Sequence, residues 1–153
     1  MRPGAVSVVI TGKSADQRGD GKTMPTLKIN NVPVQVAEGA TVLDVHTPEL
    51  ARIAGLPDYP GFDLLSRRPN GHTRGIEVKG RAATGDVEIL ANEWAKACNL
   101  GRAYWLYVVY DCATPAPRRM RVQDPFSRLL AKAKGSLLIG PKQITDAATE
   151  ESA

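Results

Sequence analysis

The sequence predicts a mixed α/β (α+β) domain, a β-sheet flanked by helices and preceded by a small β-hairpin region. Three observations predict it. Residues 104–110 (Tyr-Trp-Leu-Tyr-Val-Val-Tyr) are almost unbroken in apolar and aromatic character, as expected of a strand buried on both faces at the centre of a sheet. Residues 62–68 and 74–79 read as two strands joined by the turn Pro69-Asn70-Gly71-His72. Helical segments with capping signals lie between the strands, the arrangement that yields a sheet with helices packed against it. At 153 residues the chain supports one ordinary core with a small appendage. Four of its eight aromatic residues are Trp94, Tyr104, Trp105 and Tyr107, which puts that core in the middle of the chain.

Taken in order, residues 6–10 form a short apolar stretch, and a Gly-, Asp- and Lys-rich loop follows to Lys22. Gly19-Asp20-Gly21-Lys22-Thr23 is not a phosphate-binding loop, because Asp16 stands where that motif needs glycine. Residues 26–36 alternate apolar and polar about Asn30-Asn31, a hairpin pattern. Thr47 and Pro48 open a short helix that Gly55 closes. After the strand pair, residues 86–90 predict a third strand, and Asn92 is expected to cap a helix closed near Gly101. Residues 118–122 predict an edge strand. Asp124-Pro125 opens a helix expected to run through Phe126, Leu129, Leu130 and Ala133, and Leu137 to Ile139 a last short strand. The expected divisions are an N-terminal hairpin extension over 1–46, a folded domain over 47–140 and a polar tail over 141–153.

The formal charge of +4 is modest, but its distribution is uneven. Residues 61–140 hold 13 Lys or Arg against 7 Asp or Glu. Arg67, Arg68, Arg74 and Arg81 are expected to surround a face that would attract a polyanion, the plain alternative being a solvated basic surface. Cys98, Cys112, His46 and His72 have no zinc-ligand spacing, and free thiols suit a reducing compartment. The apolar run at 6–10 is too short for a signal or membrane span, so a cytoplasmic protein without membrane contact is expected.

The chemistry concentrates in Gly61-Phe62-Asp63 and Ile76-Glu77-Val78-Lys79-Gly80. Along an extended strand Glu77 and Lys79 share a face, and Asp63 can meet them across the hairpin. Asp63, Glu77 and the Val78 main-chain carbonyl make a hard oxygen set of the kind Mg²⁺ or Mn²⁺ prefers, and Lys79 would hold the attacking water. That is the construction of a metal-dependent nuclease. Asp58, after Pro57, competes with Asp63 as the first acid, and Asp86 and Glu88 share a strand face that offers a further one.

Five blocks in order resemble the NO VEIN C-terminal domain family of the restriction-endonuclease-like (PD-(D/E)xK) superfamily. They are Gly61-Phe62-Asp63-Leu64, Ile76-Glu77-Val78-Lys79-Gly80, Asn92-Glu93-Trp94, residues 104–109 and Gln123-Asp124-Pro125-Phe126. The resemblance implies a restriction-endonuclease-like mixed sheet, Asp63 and Glu77 as metal ligands, and Lys79 as the catalytic lysine. It further implies a DNA-directed role in restriction, repair or defence beside a helicase or restriction-system partner, where a homodimer would pair two active sites. Members carry an acid on a helix before the Gly-Phe-Asp block, for which Glu49 is the candidate here. The competing reading from the same fold is a noncatalytic DNA- or helicase-docking module.

Overall fold

The computed structural model describes residues 8–9, 26–29, 32–35, 41–134 and 136–150. Strands β1 (Val8–Val9), β2 (Thr26–Ile29) and β3 (Val32–Gln35) form a small antiparallel sheet. Ile29 pairs with Val32, so β2 and β3 are the hairpin expected about Asn30-Asn31.

The main sheet has six strands. It begins with β4 (Thr41–Asp44), followed by helix α1 (Pro48–Ile53), β5 (Leu64–Arg67) and β6 (Thr73–Gly80). The Thr47 hydroxyl accepts the Leu50 N–H at 3.3 Å and Pro48 starts α1, as the capping signals require. The chain then forms β7 (Val87–Ile89), α2 (Ala91–Leu100), a 3₁₀ turn (Gly101–Ala103) and β8 (Tyr104–Tyr110), which lies parallel to β6. A parallel neighbour demands a long crossover, and α2 is the helix that makes it. Strand β9 (Arg118–Gln123), helix α3 (Pro125–Arg128), β10 (Lys132–Lys134), β11 (Ser136–Ile139), α4 (Pro141–Ala147) and β12 (Thr149–Glu150) complete the chain. The sheet order is β12-β9-β8-β6-β5-β4, so β8 is interior and its Tyr104, Leu106, Val108, Val109 and Tyr110 are buried.

One face of this sheet carries Val42, Leu64, Ile76 and Val78, with Trp105 and Tyr107 packed on them. On the other lie Phe62, Leu65 and Tyr104 against Ala51 of α1 and Ala97 of α2. Burying side chains of this size stabilises the sheet by about 1.5–3 kcal/mol each relative to exposure. The mixed sheet with flanking helices is therefore present as expected.

Several elements depart from expectation. Strand β7 leaves the main sheet and pairs antiparallel with β11, which itself pairs with β10. Val87, Ile89 and Ile139 bury together there, which sequence alternation alone could not assign to one sheet or the other. Asn92 does not cap α2. The helix starts at Ala91, and Glu93 accepts the Leu90 N–H at 2.8 Å in the cap's place. The helix after Asp124 stops at Arg128 because Leu129 turns extended to bury in the core and the next segment pairs with β11. Strand β9 is covered at Met120 and Arg121 by β12. Main-sheet elements also run past both ends of 47–140. Strand β4 pairs with β5, and β12 pairs with β9. Among the described residues no helix is long and apolar enough to cross a membrane.

The Gly61-Phe62-Asp63 block has a steric logic. Gly61 sits at φ +80, and a Cβ there would lie 2.8 Å from the Lys96 Cβ on α2. Its carbonyl accepts the buried Tyr104 hydroxyl at 2.8 Å. Phe62 meets Tyr104 edge-on at 6.5 Å and fills the space over Gly75, where a Cβ would be 2.6 Å from its ring. These contacts fix the chain that enters β5. Gly61→Ala is expected to lower unfolding stability by about 1–3 kcal/mol, from strain at positive φ and the clash with α2. Tyr104→Phe should cost about 1 kcal/mol for the lost hydrogen bond. Denaturant melts of both variants check this; Gly61→Ala melting with the wild type would show that the close approach is not constraining.

Candidate active site

The hairpin register decides which side chains meet. Leu64 pairs with Ile76 and Leu65 with Gly75, and Asp63, in the bend just before this ladder, donates its N–H to the Ile76 carbonyl at 3.0 Å. Its own carbonyl accepts the Val45 N–H at 2.8 Å, which ties the approach to β5 to the end of β4. The Asp63 Oδ2 accepts the Val78 N–H at 2.9 Å. The N–H and C=O of one strand residue point to the same edge. The Val78 carbonyl therefore faces the Asp63 side, beyond the last paired residue of β5.

Glu77 and Lys79 share the face that carries α2. Glu77 is 3% exposed, and its Oε1 lies 2.6 Å from the Lys79 Nζ. The same ammonium donates to both oxygens of Glu93, at 2.9 and 2.8 Å. Glu93, on the first turn of α2, also holds the Leu90 N–H, so its carboxylate is fixed by the helix start and in turn fixes Lys79. Three acids thus gather about one ammonium, and charges this poorly hydrated are costly. Burial, and then the negative charge of Asp63, push Glu77 up to about 9 despite the opposing pull of Lys79. Burial also raises Asp63, against the Val78 hydrogen bond and the Lys79 charge. For Lys79 burial lowers the pKa, but the charges and hydrogen bonds of Glu77 and Glu93 together outweigh it and hold the amine above its ordinary range.

Oxygen donors of this kind suit hard divalent cations as a class. Among the described residues no three His, Cys, Asp or Glu side chains form a ready-made metal cage. Mg²⁺ does not need one, because it retains waters and takes one or two carboxylates together with substrate phosphate. Asp63, Glu77 and the Val78 carbonyl match that requirement, and an added divalent charge would relieve the proton that burial keeps on Glu77.

The remaining predicted residues are dispersed. Asp58 pairs with Arg52 at 2.6 Å on the surface, away from the hairpin acids. Glu49 is exposed on α1, and Asp86 and Glu88 are exposed at β7, outside the main sheet. Arg67 donates to the Ala54 carbonyl at 3.2 Å. Arg81 is exposed beyond the end of β6. Arg68 and Arg74 do not flank the acids. Alternation along β6 puts Arg74 over the Trp105 ring, on the face opposite Glu77. Glu93 is the residue that sequence reasoning missed as chemistry, although Asn92-Glu93-Trp94 was among the resembling blocks. Asp44 and His46, 2.5 Å apart at the end of β4, were also missed.

A raised carboxyl binds its proton more tightly when folded. Between the ordinary value of 4.5 and about 9 the unfolded chain has released the Glu77 proton while the folded chain keeps it. Its contribution to stability is therefore full below 4.5 and is lost as pH rises toward 9. Glu77→Gln is expected to flatten the fall in unfolding free energy between pH 5 and 9, measured by urea melts without divalent ions; an unchanged slope would contradict the assignment. Glu93→Ala frees both Lys79 and the Leu90 N–H, so a loss of about 1–3 kcal/mol is expected in the same melts.

Residues 49–122 match the family described as Protein NO VEIN, C-terminal. The solved structure of Hjc, a Holliday junction resolvase from the archaeal hyperthermophile Archaeoglobus fulgidus, is similar at 18% identity and a TM-score of 0.47, over 73% of this chain and 83% of that one. No curated protein matches the sequence. The segment that matches this family, residues 49–122, contains Asp63, Glu77, Lys79 and Glu93, so the five resembling blocks and the candidate site fall largely within one family match.

Proposed function

We propose that the domain is a metal-dependent endonuclease that hydrolyses phosphodiester bonds in DNA, in a restriction, repair or defence setting. The observation that supports this reading is the Lys79 ammonium held between Glu77 and Glu93, with the Asp63 carboxylate on the N–H of the intervening Val78. Asp63 and Glu77, with the Val78 carbonyl, would hold Mg²⁺ or Mn²⁺. When bound, the ion supplies Lewis-acid stabilisation of the phosphoryl group and a lowered pKa for water. The Lys79 ammonium orients a water by hydrogen bonding and offsets negative charge developing on the phosphate. Water oxygen bonds to phosphorus as it releases a proton to solvent, the bond to the leaving oxygen breaks, and that oxygen takes up a proton from solvent, with no covalent enzyme intermediate. Arg67, Arg68, Arg74 and Arg81 contribute to DNA affinity in this reading. Cutting both strands requires two such sites, which a homodimer or a helicase or restriction-system partner would supply.

A specific observation favours a second reading. Lys79 already pairs with both Glu77 and Glu93, an arrangement that can hold the fold together without an ion. The domain would then be a catalytically inactive module that binds DNA or a helicase.

The two readings separate on plasmid and single-stranded DNA incubated with Mg²⁺ or Mn²⁺. The nuclease reading expects metal-dependent cleavage that Glu77→Ala and Lys79→Ala each abolish, with DNA affinity held within about threefold. Uncut substrates across a metal series would leave the docking module.

A further inference from the structure

At the hairpin end of the main sheet, away from Asp63, a cavity of about 380 Å³ is lined by Arg68, Asn70, His72, Arg74, Arg102 and Gln123. Three separate elements build it: the turn between β5 and β6, the 3₁₀ turn before β8, and the end of β9. The Gln123 Nε2 donates to the Arg102 carbonyl at 2.8 Å, which ties the last two together. The Asn70 Oδ1 accepts the His72 N–H at 3.1 Å, which orders the turn. Among the described residues no carboxylate lies within ion-pairing distance of the Arg68, Arg74 or Arg102 guanidinium. Arg74 is half-buried with its guanidinium 5.1 Å from the Trp105 ring centroid, so its direction is set by stacking rather than by an acid. Its pKa is lowered first by burial and then by the neighbouring charges of Arg68 and Arg121, which reports like charges crowded together.

A concave cluster of guanidiniums without an acid is a seat for an anion. We infer that this cavity binds a backbone phosphate of nucleic acid, held by Arg68, Arg74 and Arg102. Planar, donor-only forks match phosphate oxygens in pairs, and the Thr73 hydroxyl with the amide and imidazole groups around them suits a sugar–phosphate surface better than an apolar one. Arg74 precedes Glu77 by three residues on β6, about 10 Å along the strand and on the other face. The seat therefore takes a phosphate some nucleotides from the scissile one and sets the register of the duplex. The assignment deepens the nucleic-acid reading above and rests on it.

The test is fluorescence anisotropy with a short labelled duplex in EDTA, across a salt series, on the full chain. Arg68→Ala/Arg102→Ala, which spares the Arg74–Trp105 stack, is expected to weaken binding roughly tenfold and to reduce the slope of log affinity against log salt by about 2. Arg128→Ala/Lys142→Ala removes the same charge elsewhere and should stay within about twofold. Equal losses in the two double variants, or none in the first, overturn the seat while leaving the cleavage tests of Glu77 and Lys79 untouched. Loss of binding to a labelled poly-glutamate peptide, with duplex affinity retained, transfers the cavity to an acidic protein and also overturns the proposal. A wild type that binds no duplex overturns the nucleic-acid reading and this inference together.

Discussion

Glu77, Lys79 and Glu93 form the interaction on which the site depends: two buried acids from a strand and a helix, held by one ammonium between them. A lone buried carboxylate would cost several kcal/mol, and removing one partner from a buried pair is strongly destabilising. The ammonium also fastens α2 to the sheet at the place where β6 passes into its crossover. Asp63 completes the cluster from the neighbouring strand, with one oxygen committed to the Val78 N–H. The result is a group of acids carrying more negative charge than its single lysine can balance.

The surrounding fold is arranged to keep that group in register. Gly61 lets α2 approach the start of β5, Tyr104 hooks the Gly61 carbonyl from the central strand, and Phe62 closes over Gly75. Each contact acts on the backbone immediately before Asp63. The proposed chemistry would require positioning to fractions of an ångström, and Glu77, Lys79 and Glu93 stand on a strand and a helix rather than on loops. The opposite face carries Trp105 and Arg74, so one strand, β6, serves an acidic surface on one side and a basic one on the other.

Much of this was legible in the sequence because the signals were local. Glu77 and Lys79 share a face by strand period, the Pro69–His72 turn fixes the hairpin, and Thr47-Pro48 starts α1 as read. The central position of β8 followed from its continuous apolar run. Pairings between distant segments were not legible. Strand β7 looks like a third hairpin strand until β11 claims it, and Leu129 looks helical until the core takes it. Glu93 was hidden because its role depends on where α2 lies relative to Lys79, fourteen residues earlier in the chain. Arg74 could have been assigned correctly, since the alternation that unites Glu77 with Lys79 sends Arg74 to the other face.

The proposed nuclease requires Asp63 and Glu77 to hold a hard divalent cation beside Lys79. Mn²⁺ titration followed by electron paramagnetic resonance tests it without relying on any substrate. Saturable binding by the wild-type chain is expected, lost in Asp63→Asn and in Glu77→Gln, with the folded state of each variant confirmed by circular dichroism. Wild-type chain that leaves the free Mn²⁺ signal undiminished, or binding that survives both substitutions, would contradict it.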